Sequence, residues 1–206
     1  ILQAIRKNEI QTYSVTEKTT EGAELYFIKK DLDMRRMKKD AYSEVTIYRD
    51  FEMDGKKMRG SADINIFPEM TQEEVDKAVS GAFYAASFVK NPYFEIPKGK
   101  KEDKVEVEST LCGKSLEATG DAFVKALYCV DVHEDAFINT AEFFMDKTWT
   151  AIYNSEGVDV SYEKNSVRGE FVVQCITPQD VEQYQEFAYD DLDTEALTAQ
   201  AKEALE

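Results

Sequence analysis

Residues 43–67 read SEVTIYRDFEMDGKKMRGSADINIF, and one turn decides how they fold. Asp54-Gly55 is the pair that a two-residue type I′ hairpin loop asks for, because both central positions need positive φ. With Met53 set opposite Lys56, Phe51 meets Met58, Ile47 meets Ala62 and Val45 meets Ile64 on one face. Asp50 then meets Arg59 and Glu52 meets Lys57 on the other. A slip of one residue would exchange the two faces and lose both matches. Each cross-strand pair contributes only about 0.2–1 kcal/mol, so the weight lies in their agreement. One position breaks the pattern: Arg49 falls on the apolar face, opposite Gly60. A glycine inside a strand marks a bulge or a close backbone approach. Two readings of Arg49 stay open. Its stem packs at the sheet margin with its head in water, or it points, beside Gly60, into a substrate groove.

The chain has 206 residues, of which 43% are hydrophobic and 12% aromatic, enough for a packed core. The net charge of −16 argues against nucleic acid and against an anionic membrane, both of which want a basic face. No apolar run approaches the length of a membrane span. Ile1-Leu2-Gln3-Ala4, followed by Arg6 and Lys7, has the pattern of a helix end rather than a leader. The first residue is not Met, which reads as a piece cut from a longer chain. Cys112, Cys129 and Cys175 are odd in number and far apart, and are expected to be buried, reduced thiols of a cytoplasmic protein.

Working outward from the hairpin, residues 10–20 read as a strand, Glu21-Gly22 as a turn, and 25–28 as a strand covered on both faces. In residues 31–39, Leu32, Met34 and Met37 fit a continued strand or a short helix; the extended continuation, turning at Lys39-Asp40, is favoured. Thr71-Gln72-Glu73-Glu74 is a capping box, with Met70 and Val75 placed as its hydrophobic staple. Val75, Val79, Ala82, Ala86 and Val89 follow at helical spacing, and Asn91-Pro92 stops the helix. Residues 97–103, PKGKKED, read as an exposed loop whose Lys98, Lys100 and Lys101 are solvated or dock an acidic partner. A second helix is expected over 115–132, weakened at Gly120. Four strand-like runs follow, at 137–144, 148–153, 158–163 and 167–176, with a hairpin turn at Asn154-Ser155-Glu156-Gly157. Thr177-Pro178 should end the sheet, with helices over 180–189 and from an N-cap at Asp193. The expected fold class is α+β, mostly antiparallel β meanders of about eight strands packed with three to five helices, as a single domain over residues 1–206.

Few residues in the chain offer chemistry. The one histidine, His133, opens like a zinc-peptidase pair with Glu134, but Phe137 and Ile138 stand where a second ligand should be. A zinc site needs three or four donors, so no metal and no cofactor are expected here, and His133 reads as a helix-end residue. No glycine-rich phosphate loop occurs. Trp149 reads as core, and no carboxylate pair is singled out for acid–base work.

Residues 24–36, ELYFIKKDLDMRR, followed by VTIYRD at 45–50, resemble the amino-terminal domain of the TldD/PmbA family, the modulators of DNA gyrase also described as metallopeptidase-related. AASFVKNPY at 85–93, INTAE at 138–142, NSEG at 154–157 and DLD at 191–193 resemble later landmarks in the same order. The resemblance implies two α+β domains in the parent. It puts any zinc, with its His-Glu-x-x-x-His motif, in a C-terminal domain beyond the region matched, so no catalytic residue carries over to this chain. It implies a homo- or heterodimer of such subunits enclosing a cleft for peptide or unfolded protein substrate. This domain would then be a non-catalytic one that gates substrate and helps assembly. Alternatively it would be an interaction module of a catalytically inactive, PmbA-like partner subunit.

Overall fold

The computed structural model describes residues 1–99 and 105–206. The loop expected at 97–103 lies largely outside them, and Lys100 and Lys101 with it. In chain order the elements are α1 (Leu2–Lys7), β1 (Thr12–Ile28), β2 (Asp31–Met53), β3 (Lys56–Ile66), α2 (Gln72–Ala86), β4 (Asn91–Pro92), α3 (Leu116–Tyr128), β5 (Ala136–Asn154), β6 (Asp159–Cys175), β7 (Val181–Tyr189) and α4 (Thr194–Leu205). The strands form one antiparallel sheet in the order β4-β3-β2-β1-β5-β6-β7. The fold is α+β, as the patterning leads one to expect.

The founding hairpin forms as read. Asp54 has φ 53° and Gly55 φ 71°, the signature of the primed turn. Met53 pairs with Lys56, Phe51 with Met58, Asp50 with Arg59, Arg49 with Gly60, Ile47 with Ala62 and Val45 with Ile64. β3 ends at Ile66, within the stretch read, while β2 runs back to Asp31 as one strand.

The chain divides into two compact units, and the division falls inside the long strands. The first comprises Ile1–Thr19, Asp40–Glu106 and Trp149–Tyr162. Its core joins Ala4, Ile5, Ile10, Val15, Val45, Ile47 and Ile66 to Val75, Val79 and Ala82 of α2. The capping box is complete: the Thr71 hydroxyl accepts from the Glu74 amide, and the Glu74 carboxylate accepts from the Thr71 amide. α2 ends at Ala86, so Val89 lies beyond it, and Asn91-Pro92 becomes a two-residue strand paired with Met58 and Arg59.

The second unit comprises Thr20–Lys39, Val107–Thr148 and Glu163–Glu206. α3 and α4 cover one face of its strands, around Leu25, Phe123, Leu127, Phe143, Phe171, Phe187, Leu197 and Ala201. Ser115 caps α3 and accepts from the Ala118 amide. Gly120 does not split that helix but lies buried against Met145 and Leu25, and the helix stops at Tyr128 rather than running on to 132.

Several expectations are corrected. Glu21-Gly22 is not a turn. β1 passes straight through it, because Gly22 leaves room for Lys38 and Asp146 beside it. The chain reverses at Lys29-Lys30, with Lys29 at φ 54°, and not at Lys39-Asp40. The four runs between 137 and 176 are two unbroken strands, β5 and β6, since paired neighbours supply the hydrogen bonds that Lys147 or Lys164 would not suggest locally. Residues 180–189 are not a helix, and Thr177-Pro178 does not end the sheet. Val181–Tyr189 pairs with β6, and Phe187 and Tyr189, two apart, stack on Phe123 of α3. Cys112 and Cys129 are exposed and Cys175 is half-buried, all as free thiols, not the buried set expected. Each stands at or beyond an element's end, where packing is thin. Trp149 is 42% exposed rather than core. His133 lies in the link after α3, outside any helix.

Candidate functional site: an unpaired strand edge

β4 closes only the start of the β3 edge. Met58 pairs with Pro92 and Arg59 with Asn91, and the Tyr93 amide donates to the Lys57 carbonyl at 3.2 Å. Pro92, which has no N–H, sits at the non-hydrogen-bonded position. Counting by two from Lys57, the backbone groups of Ser61, Asp63 and Asn65 also turn outward. Among the described residues no strand pairs with them. Natural edges are blunted with Lys, Pro or bulges; residues 60–66, GSADINI, hold none of these and one charge, Asp63. Its carboxylate accepts from the Thr46 hydroxyl at 2.6 Å.

What keeps β4 in place is Arg59. Its Nε and Nη2 donate to the two Asp50 carboxylate oxygens at 2.6 and 2.9 Å, and Nη1 donates to the Phe94 carbonyl at 2.7 Å. The guanidinium lies 4.5 Å from the centre of the Tyr93 ring. The hydrogen bonds from Arg59 hold the Asp50 carboxyl below its ordinary value, and Asp50 in turn raises Arg59.

Beside the open edge, α2 presents Glu74, Lys77, Ala78, Gly81, Ala82 and Ala85 over Ala62, Asp63 and Ile64, around a hollow of about 480 Å³. Arg49 and Gly60 do not line it. The Arg49 guanidinium lies 4.8 Å above the Phe83 ring of α2. Gly60 is buried under the end of that helix: a Cβ there would sit 2.7 Å from the Val89 carbonyl oxygen and nearer still to that of Ala86. The close-approach reading of Gly60 therefore describes it. The free edge itself was not singled out from sequence, although the lack of Lys and Pro over 60–66 and the spacing of Ala78, Gly81 and Ala85 signal it.

In the second unit, the sheet face turned away from α3 and α4 is polar and aromatic. Tyr26 donates to Glu24, which also faces Arg36 at 3.3 Å. Lys38 lies 3.2 Å from Asp146. The Tyr184 hydroxyl is 2.7 Å from both Glu170 and Glu186, and these carboxylates push its pKa up. Glu142 is raised by burial first, then by Glu170 and Glu24. Arg168 stacks 4.6 Å over Phe144 at a hollow of about 390 Å³. Among the described residues no three His, Cys, Asp or Glu side chains are grouped to hold a metal ion. Among the same residues no helix is long and apolar enough to cross a membrane.

No protein-family model matches the chain, and no curated protein matches it by sequence. Solved structures do match it. TldE from Thermococcus kodakarensis superposes with a TM-score of 0.66 at 17% identity, over 98% of this chain and 46% of that one. A protein from Thermotoga maritima, described as a “putative modulator” of a DNA gyrase, gives 0.67 at 15% identity, over 99% and 46%. One from Bacteroides thetaiotaomicron, described likewise for DNA gyrase, gives 0.63 at 9% identity, over 98% and 47%. The chain spans about half the length of the structures it matches. Its fold is thus the one seen in a little under half of TldE and of these gyrase-modulator proteins, the fold that the resemblance to the TldD/PmbA family implies.

Proposed function

We propose that this chain is a non-catalytic, peptide-handling and assembly domain of a TldD/PmbA-like protein, which receives unfolded peptide and passes it to a hydrolytic centre carried elsewhere. The single observation that carries the reading is the β3 edge over residues 60–66, with which no strand pairs among the described residues. An extended peptide satisfies such an edge with main-chain hydrogen bonds, which tolerate many sequences. That tolerance is what a domain serving unfolded substrates requires. Gly60 sets where the open edge begins, and Arg49, through Phe83, holds α2 beside it. Both shape the site without lining it.

The test is binding of fluorescein-labelled unstructured peptides, read by anisotropy. Asp63→Pro and Asn65→Pro each remove one outward N–H while leaving the backbone pairing with β2 in place, and Asp63→Pro also removes the carboxylate that accepts from Thr46. Each is expected to weaken binding about tenfold, with the thermal midpoint checked in parallel. Unchanged affinity in both variants would remove the reading. If no peptide binds but a TldD/PmbA-like sister subunit does, and the same variants weaken that association, the chain is instead the interaction module of a partner subunit.

A further inference from the structure

The hollow beside the β3 edge has a chemistry of its own. α2 turns Val75, Val79, Ala82 and Ala86 down into the core. Its next flank outward carries Ala78, Gly81 and Ala85, which are small, so the angle between helix and edge stays open. A strand added to the edge shares faces with β3, because cross-strand neighbours point the same way. Residues opposite Ala62 and Ile64 would point into the hollow beneath α2. Those opposite Ser61, Asp63 and Asn65 would lie on the other, polar face. A hollow of about 480 Å³ is within the size range of ligand pockets. On the polar face, Asp63 favours a basic or hydroxyl side chain opposite it. At the helix flank, the Glu74 carboxylate is already held by Thr71.

We infer that the β3 edge selects extended segments that alternate large apolar with polar or basic side chains, the pattern of an amphipathic strand exposed by unfolding. This rests on the peptide-handling reading above, since it names the substrate class of the same edge. A second copy of this chain is the weaker occupant. β3 alternates suitably, but each copy carries a net charge of −16, and like-charged molecules repel.

The test uses two short labelled peptides of identical composition. One alternates Leu or Val with Thr and Lys; its isomer gathers the apolar residues in one block. They are titrated against the wild-type chain, Gly81→Leu and Asp63→Pro. A Cβ at position 81 meets nothing within 4 Å, so leucine fills the hollow without disturbing the helix. The alternating peptide should bind the wild type about tenfold tighter than its isomer. Gly81→Leu should erase that preference while leaving residual binding that Asp63→Pro still weakens. If both peptides bind alike, and both are weakened by Asp63→Pro, the edge stands and the selectivity falls. A preference that survives Gly81→Leu overturns the inference as well. If neither peptide responds to Asp63→Pro, the peptide-handling reading itself fails. Sedimentation that shows a peptide-free dimer, dissolved by Gly81→Leu, would assign the groove to a second copy instead.

Discussion

Arg59 meets Asp50 across the β2–β3 hairpin through two parallel hydrogen bonds, and its side chain is only 5% exposed while that of Asp50 is 31% exposed. The pair is therefore asymmetric. Removing the carboxylate strands a buried cation, whereas removing the cation leaves a carboxylate that water can reach. Asp50→Ala is expected to cost about 3 kcal/mol by urea unfolding, and Arg59→Met less. Both should also free the segment around Tyr93 and Phe94, because Arg59 binds the Phe94 carbonyl. Faster amide exchange at Tyr93 in both variants would show it. An Asp50→Ala loss smaller than that of Arg59→Met would contradict the assigned asymmetry.

Two carboxylates give opposite pH dependences. Asp50 is held below its ordinary value of 3.8, chiefly by the hydrogen bonds from Arg59. Its stabilising effect is present above that unfolded value and is lost as pH falls through the lower, folded one. Glu142 is raised above its ordinary 4.5, first by burial and then by Glu170 and Glu24. Its effect favours folding when protonated and is lost as pH rises through the folded value. Glu142→Gln should therefore raise the thermal midpoint at pH 7, with the gain shrinking toward pH 4. A gain of equal size at both pH values would show that charge is not its source.

Gly60 lies directly beneath the carbonyls that end α2. A methyl group there has no flexible side chain to displace, only backbone. Gly60→Ala is expected to cost about 2–3 kcal/mol and to loosen α2. Gly55→Ala, whose Cβ would meet nothing within 4 Å, should act only through its positive φ and cost about 1 kcal/mol. Urea midpoints of the two variants, measured side by side, check the order; an equal loss in both would remove the close-approach account of Gly60.

The legible parts of this fold were those in which turn chemistry and face pattern agree locally. Asp54-Gly55, the Thr71–Glu74 box and the Asn154–Gly157 turn each declare themselves within four residues. In the last, the Asn154 side chain accepts from the amides of Glu156 and Val158. Strand length was not legible, because β1, β2, β5 and β6 run on through glycines and charges that only their paired neighbours accommodate. Gly22 is acceptable in β1 because Lys38 and Asp146 fill its place. Residues 181–189, with two Glu and two Gln, carry a helical composition, and only Phe187 and Tyr189 at spacing two betray the strand. Asp50 and Arg59 were legible as a pair, but the burial of Arg59 was not, since Tyr93 and Phe94, whose rings face its guanidinium, come from 34 and more residues away. The open β3 edge belongs to the same class: an unpaired strand is a property of the sheet order, and sheet order is non-local.

Trp149 supplies an optical check on the first unit, because the chain has one tryptophan. It stands in β5, 42% exposed, at a shallow hollow of about 290 Å³ shared with Ile1, Tyr42, Phe67 and Pro68. Tryptophan is usually well buried on average, and the strand formers around it invite that reading here. In the folded chain its emission should instead be that of a solvent-reached indole, open to acrylamide, and it should shift little on unfolding in urea. Trp149→Phe should change stability by less than about 1 kcal/mol, since the phenyl ring keeps much of the apolar contact and 42% of Trp149 already lies in water. A blue-shifted emission shielded from acrylamide would place the ring in the core and contradict the arrangement of β5 in this unit.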